Sequence, residues 1–154
     1  MGTPEAWFGG LVDGEGCFTI SIYVQHKRSL KFALVFSISM KTGTWQTFAQ
    51  EILGFHEIPF HTRKRKNQFE ITVTGRKSVT KLIGVLKPYL VVKVPIAEAL
   101  ADFPAAPRRN RFSPIDDSYL DAVCEKVDFV RRFNKGKNRP HKWDGKMIRA
   151  FYKK

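Results

Sequence analysis

The sequence predicts an α+β fold: a four-stranded antiparallel sheet, saddle-shaped, with helices covering one face and the other face open. Two observations carry this expectation. Runs that alternate apolar and polar residues occur in two pairs, each pair joined by a short polar turn. Each pair follows a stretch of helical periodicity, so the elements read αββαββα, with one or two helices added at the C-terminal end. A third observation concerns the open face, whose residues are hydroxyls, amides and cations rather than apolar groups.

The first helix is announced by Thr3, Pro4 and Glu5: a capping hydroxyl, a proline at the first helical position and an acid in the first turn. It should run to about Asp13 and stop at Gly14 and Gly16. From Cys17 the period becomes two, with Phe18, Ile20, Ile22 and Val24 on one side and Thr19, Ser21, Tyr23 and Gln25 on the other. A turn at HKRS leads to a partner run with Phe32, Leu34, Phe36 and Ile38 inward. A short helix is expected over 44–53, closed by Gly54. The second hairpin places Phe69, Ile71 and Val73 inward around a basic turn at 64–67. A helix over 76–86 follows from the spacing of Val79, Leu82, Ile83 and Leu86, and Pro95 opens another. After the linker PAAPRRNRFSP, DDSYLDAVCEKVDFVRRF is an amphipathic helix with acids first and arginines last, as the helix dipole favours. Within the basic tail, Trp143, Met147, Ile148 and Phe151 predict a short docked helix.

The chain is expected to be one domain over 1–154, with a core over 3–103 and a helical, basic extension over 104–154. Its 154 residues can bury a core without staples, and 43% hydrophobic content fits a folded protein. Cys17 and Cys124 lie far apart with no C-x-x-C spacing, which argues against a zinc finger and for reduced thiols. No apolar run is long enough to span a bilayer and no secretory signal is visible, so the expected partner list includes no membrane.

Charge narrows the partner. Lys and Arg number 27 against 14 acids, a net charge of +13 that calls for a polyanion, either nucleic acid or an anionic membrane surface. The open sheet face would carry Thr19, Ser21, Tyr23, Gln25, Lys31, Arg63, Arg65, Gln68, Glu70 and Thr72. Strands in a major groove read base edges with such groups, while Lys and Ser/Thr hold phosphates. About eight strand residues span roughly 26 Å, enough to follow roughly eight base pairs at about 3.4 Å each. Lys137, Arg139 and Lys142 in the tail are further candidate phosphate contacts. The plainer alternatives are an ordinary solvated face and a solubilising tail.

The first helix contains FGGLVDGEG, residues 8–16. This stretch resembles the nine-residue LAGLIDADG motif, with Phe8 first, Gly10 third, Asp13 sixth and Gly16 last. The strand-like CFTISI that follows and the order of elements fit the same family, and the chain resembles a single-motif LAGLIDADG homing endonuclease. Independently of the resemblance, Ala6, Gly10 and Asp13 recur at helical spacing and leave a stripe with little bulk, where a second helix can approach closely. Ala6, Gly9, Gly10 and Asp13 are therefore expected at a twofold dimer interface, with Trp7, Phe8, Leu11 and Val12 facing the core.

The resemblance implies that the acid at the eighth motif position, Glu15, binds metal. The carbonyl of Gly14 is a plausible additional ligand. Mg²⁺ is the expected cofactor, with Mn²⁺ or Ca²⁺ able to substitute in binding. Asp13 is read mainly as a structural cap. LKPYLVVK resembles the segment that supplies a basic residue near the scissile phosphate, which here is Lys93; the alternative is a surface lysine before Pro95. Where the family often has a polar residue at the end of the second strand, this chain has Met40, with Ser39 or Lys41 as possible substitutes. The four histidines show neither a nucleophile–base nor a metal pattern. The implied activity is metal-dependent cleavage of a long pseudo-palindromic duplex by a homodimer, leaving 3′ overhangs and promoting mobility of the host intron. It would act inside the cell on the host genome, in a prokaryotic cytoplasm or an organelle. The alternatives are a non-cleaving, maturase-like binder of RNA or DNA and a basic ribosome-associated protein.

Overall fold

The computed structural model describes residues 2–107, 114–134 and 142–153. The expected αββαββα order is present as α1 (Pro4–Glu15), β1 (Gly16–Gln25), β2 (Ser29–Lys41), α2 (Trp45–Phe55), β3 (His61–Arg65), β4 (Gln68–Thr74) and α3 (Arg76–Leu86). A 3-10 turn at Lys87–Tyr89 leads to α4 (Val94–Ala101), and α5 (Asp117–Phe133) and α6 (Gly145–Tyr152) complete the chain. The four strands form one antiparallel sheet in the order β1-β2-β4-β3, so the central strands β2 and β4 join the two hairpins.

Period-two burial fixes which face meets the helices. Phe18 and Ile20 on β1, Leu34, Phe36 and Ile38 on β2, and Ile71 and Val73 on β4 are all buried. They pack with Phe8 and Val12 of α1, Leu53 of α2, Leu82 and Leu86 of α3, and Leu100 of α4 in a single core. Phe18 and Phe36 sit 5.1 Å apart between ring centroids.

Several expectations shift. α1 continues through Gly14 to Glu15, and only Gly16 ends it, its N–H donating to the Val12 carbonyl. A Cβ at Gly16 would lie 2.8 Å from that carbonyl oxygen and 3.0 Å from Phe36, so close packing at the helix–strand junction requires glycine. α2 likewise continues through Gly54, because a glycine with helical dihedrals weakens a helix without ending it. The basic turn shortens to Lys66 and Asn67, leaving Lys64 and Arg65 in β3. Val24 follows the alternation yet is 43% exposed on the edge strand β1, although Leu30 opposite it on β2 is buried. Trp7, expected in the core, is also 43% exposed and packs edge-on against Phe48 of α2.

The C-terminal part docks as expected. Ile148 is fully buried, with Trp143 and Phe151 packed against the core, although Met147 is exposed. Asp116 caps α5 through the Ser118 N–H, and Asp144 caps α6 through the Met147 N–H. Asp128 of α5 accepts the N–H of Gly145 at 2.7 Å, tying the two helices together.

Candidate active site and nucleic-acid interface

The two acids of the motif have different environments. The Asp13 carboxylate turns into its own chain, where Oδ2 accepts the N–H groups of Val91 and Val92 at 2.6 and 3.0 Å. Its Oδ1 accepts the N–H of Lys93 at 2.9 Å. These donors lie just ahead of α4, where a helix dipole favours negative charge. Partial burial pushes the Asp13 carboxyl upward, but the three N–H donors and the nearby Lys93 charge outweigh it and hold the group below the ordinary aspartate range. Asp13 is therefore an intrachain cap, and its carboxylate is not part of the proposed interface as expected from spacing.

Glu15, at the last position of α1, is exposed, and no hydrogen bond or ion pair engages it among the described residues. It immediately precedes β1, so it stands at the head of the open sheet face. Gly14, also exposed, presents a carbonyl from the last turn of the helix, where carbonyls lack intrahelical partners. Lys93, half-buried, reaches back so that its Nζ donates to the Asp13 carbonyl. A carboxylate, a carbonyl and an ammonium thus gather at the C-terminal end of α1. The oxygen donors suit hard cations such as Mg²⁺ or Ca²⁺. Among the described residues, no group of three or more His, Cys, Asp or Glu side chains within the chain is placed to hold a metal ion.

The glycines also separate. A Cβ at Gly9 would meet Tyr89 Cβ at 2.6 Å and the Tyr89 backbone at 3.3 Å, so Gly9 is buried against its own chain rather than on the expected interface. Gly10 is exposed, and a Cβ there would have nothing within 4 Å. Ala6 is half-buried on the same side. Within the chain, then, the fold requires Gly9 and Gly16 but not Gly10.

The open face carries the expected residues in register. Tyr23 lies opposite Lys31, whose Nζ is 5.8 Å from the ring centroid. Gln25 is opposite Ser29, Ser39 opposite Glu70, and Lys41 opposite Gln68. On the outer hairpin, Arg63 faces Glu70, Arg65 faces Gln68 and His61 faces Thr72. Ser21, Tyr23, Gln25, Lys31, Lys41, Arg63, Arg65 and Gln68 are exposed, while Glu70 and Thr72 are half-buried. Ser39 is on this exposed face, whereas Met40 points toward the core side with Phe69 opposite. Lys142 is exposed; Lys137 and Arg139 lie outside the described residues.

Thr19 departs from a simple reader role. Its hydroxyl accepts from the Arg131 guanidinium at 3.3 Å, and Arg131 also donates to the carbonyls of Ile20 at 2.9 Å and Trp143 at 3.3 Å. Burial lowers the Arg131 pKa below its ordinary value. Asn134 donates to the Phe18 carbonyl at 2.9 Å. Arg131 and Asn134 thereby fasten α5 to the outer edge of β1, beside the end of α1. Sequence reading missed both, because VRRF at a helix C-terminus is sufficiently explained by the dipole; the available signal was an Arg at a core-facing helical spacing beside Val127 and Val130.

The chain belongs to the LAGLIDADG endonuclease family, whose model matches residues 8–96. No curated protein sequence matches it significantly. Among solved structures, it is similar in fold to the homing endonuclease I-CvuI in complex with the I-CreI target in the presence of Mg, with TM-score 0.69 and 22% identity over 97% of this chain and 92% of that one. It is also similar to the archaeal intron-encoded homing endonuclease I-Vdi141I complexed with DNA, with TM-score 0.68 and 18% identity over 97% of this chain and 94% of that one. The group I intron-encoded I-CeuI complexed with DNA gives TM-score 0.67 and 14% identity over 97% of this chain and 75% of that one. No helix among the described residues is long and apolar enough to cross a membrane.

Proposed function

We propose that the protein is a homodimeric, site-specific double-stranded DNA endonuclease of the homing type. The observation that carries this reading is the exposed Glu15 carboxylate at the junction between α1 and a polar, basic sheet face. One copy offers a single free motif acid, because Asp13 is held by Val91, Val92 and Lys93. Twofold pairing of α1 at Gly10 would bring two Glu15 carboxylates and two Gly14 carbonyls together beneath the DNA. Glycine at an exposed helical position costs about 1 kcal/mol relative to alanine, and no contact within the chain explains it at Gly10.

In this reading the sheet face binds duplex DNA, with Arg63, Arg65, Gln25 and Gln68 addressing base edges and Lys31, Lys41 and Ser21 addressing phosphates or bases. Lys137, Arg139 and Lys142 add positive charge for the backbone. Glu15 and the Gly14 carbonyl hold Mg²⁺, which supplies charge stabilisation at the phosphodiester. Lys93 places an ammonium beside that site and favours charge developing on the phosphate. Two equivalent sites across the twofold would cut both strands of a pseudo-palindrome, leaving 3′ overhangs and promoting mobility of the host intron.

The test uses duplex DNA carrying the uninterrupted allele of the host gene. Discrete fragments should form with Mg²⁺ but not with EDTA, and Glu15→Gln should abolish cutting while retaining binding. Binding without fragments, unchanged by Glu15→Gln, would instead identify a non-cleaving nucleic-acid binder.

A further inference from the structure

The β1–β2 hairpin extends beyond the rest of the sheet. β4 pairs with β2 only over residues 35–41, so 29–34 of β2 has no strand on that side, and β1 is an edge strand along its whole length. Opposite residues of an antiparallel pair turn their backbone groups either toward each other or outward together, and Ile20 with Leu34 and Val24 with Leu30 are pairs of the outward kind. Helices of the C-terminal extension occupy both margins. Asn134 and Arg131, at the end of α5, donate to the carbonyls of Phe18 and Ile20, each at 2.9 Å. On the other margin, the Leu30 N–H donates to the Tyr152 hydroxyl of α6 at 2.9 Å. The two grips are joined: Tyr152 packs edge-on against Phe151, and Phe151 against Trp143, whose carbonyl accepts from Arg131 at 3.3 Å.

We propose that α5 and α6 form a clasp that sets the tilt of the β1–β2 hairpin over the DNA, with Tyr152 the positioning residue for Tyr23, Gln25 and Lys31. The inference rests on the sheet face reading duplex DNA as proposed above. Leu30 lies between the Tyr23–Lys31 and Gln25–Ser29 pairs of that face, so the Tyr152 bond holds the backbone directly beneath these side chains. A two-stranded stretch is only marginally stable by itself and twists more than a wider sheet. Hydrogen bonds to base edges weaken steeply as their angle departs from linear, so a hairpin free to twist would still meet DNA but would discriminate poorly between bases. Tyr152 is uncharged and half-buried, and it acts on selectivity through position rather than on affinity through a phosphate contact.

The test uses the full chain and the duplex carrying the uninterrupted allele, with each base pair substituted in turn. Gln25→Ala and Arg65→Ala, both at exposed positions, mark the base pairs that the first and second hairpins address. Tyr152→Phe removes one oxygen and keeps the ring. It should lower discrimination about threefold or more at the base pairs marked by Gln25→Ala, leave those marked by Arg65→Ala unchanged, and speed amide exchange at Leu30. The slope of affinity against salt should match that of the wild type, because no phosphate contact is lost. Unaltered discrimination at the first set of base pairs would overturn the clasp. So would an equal loss at both sets, which is what a general loosening of the fold produces. A chain that binds the duplex but responds to neither alanine substitution would instead overturn the reading of the sheet face on which the clasp rests.

Discussion

At the residue scale, Asp13 and Glu15 show how two neighbouring acids acquire separate roles from what surrounds them. Asp13 accepts three backbone N–H groups ahead of α4, whereas Glu15 faces outward. Because the Asp13 pKa is depressed in the folded chain, the ionised group contributes stability above its unfolded value. That contribution is lost as pH falls through the folded value, so an acid transition should begin below about pH 4. Asp13→Ala should cost about 1–2 kcal/mol and flatten that part of the pH dependence, as followed by urea unfolding between neutral and acid pH. The glycines separate in the same way. Gly9→Ala, forced against Tyr89, should destabilise the fold by about 1–3 kcal/mol, whereas Gly10→Ala should stabilise a monomer by up to about 1 kcal/mol, both measured by thermal or chemical denaturation. Both glycines were expected at the interface, because nothing local announces that Tyr89 will return beside Gly9. The structural role of Asp13 was legible, but its donors, 78 to 80 residues away, were not.

At the scale of elements, period-two patterning exposed the strands and their inward faces with little loss. Helix ends were harder, as Gly14 and Gly54 read as stops but were absorbed into α1 and α2. Local signals identify residues that can end a helix; tertiary packing decides whether they do. The C-terminal extension also has a use that its sequence concealed. Arg131 and Asn134 occupy carbonyls along the outer edge of β1, which would otherwise remain open. Arg131→Ala should destabilise the protein by about 2–3 kcal/mol and accelerate amide exchange in α5 and β1. Arg131→Lys should recover only part of this, since an ammonium cannot span the guanidinium's three contacts. At the opposite edge, the exposed basic strand β3 discourages strand-to-strand aggregation through its charges.

For the whole molecule, charge and symmetry lead to separate observables. A chain of net charge +13 that contacts many phosphates should lose affinity for duplex DNA by roughly 10³–10⁵ between about 50 and 200 mM salt. A flat salt response, measured by fluorescence anisotropy, would remove the sheet and tail from the proposed binding surface. Composition pointed to a polyanionic partner and the motif disclosed the family, but the base sequence of a target is not written in residue types alone, because side-chain conformation and DNA deformability also set it. The central claim is that two copies meet along α1 with their Glu15 residues adjoining. Oxidative crosslinking of Gly10→Cys, in a chain with Cys17→Ser to remove the half-exposed native thiol, tests it most directly. Pairing along α1 should give a covalent dimer on a non-reducing gel that forms rapidly and still binds DNA; a chain that stays monomeric under oxidation, yet cuts DNA normally, would contradict that pairing.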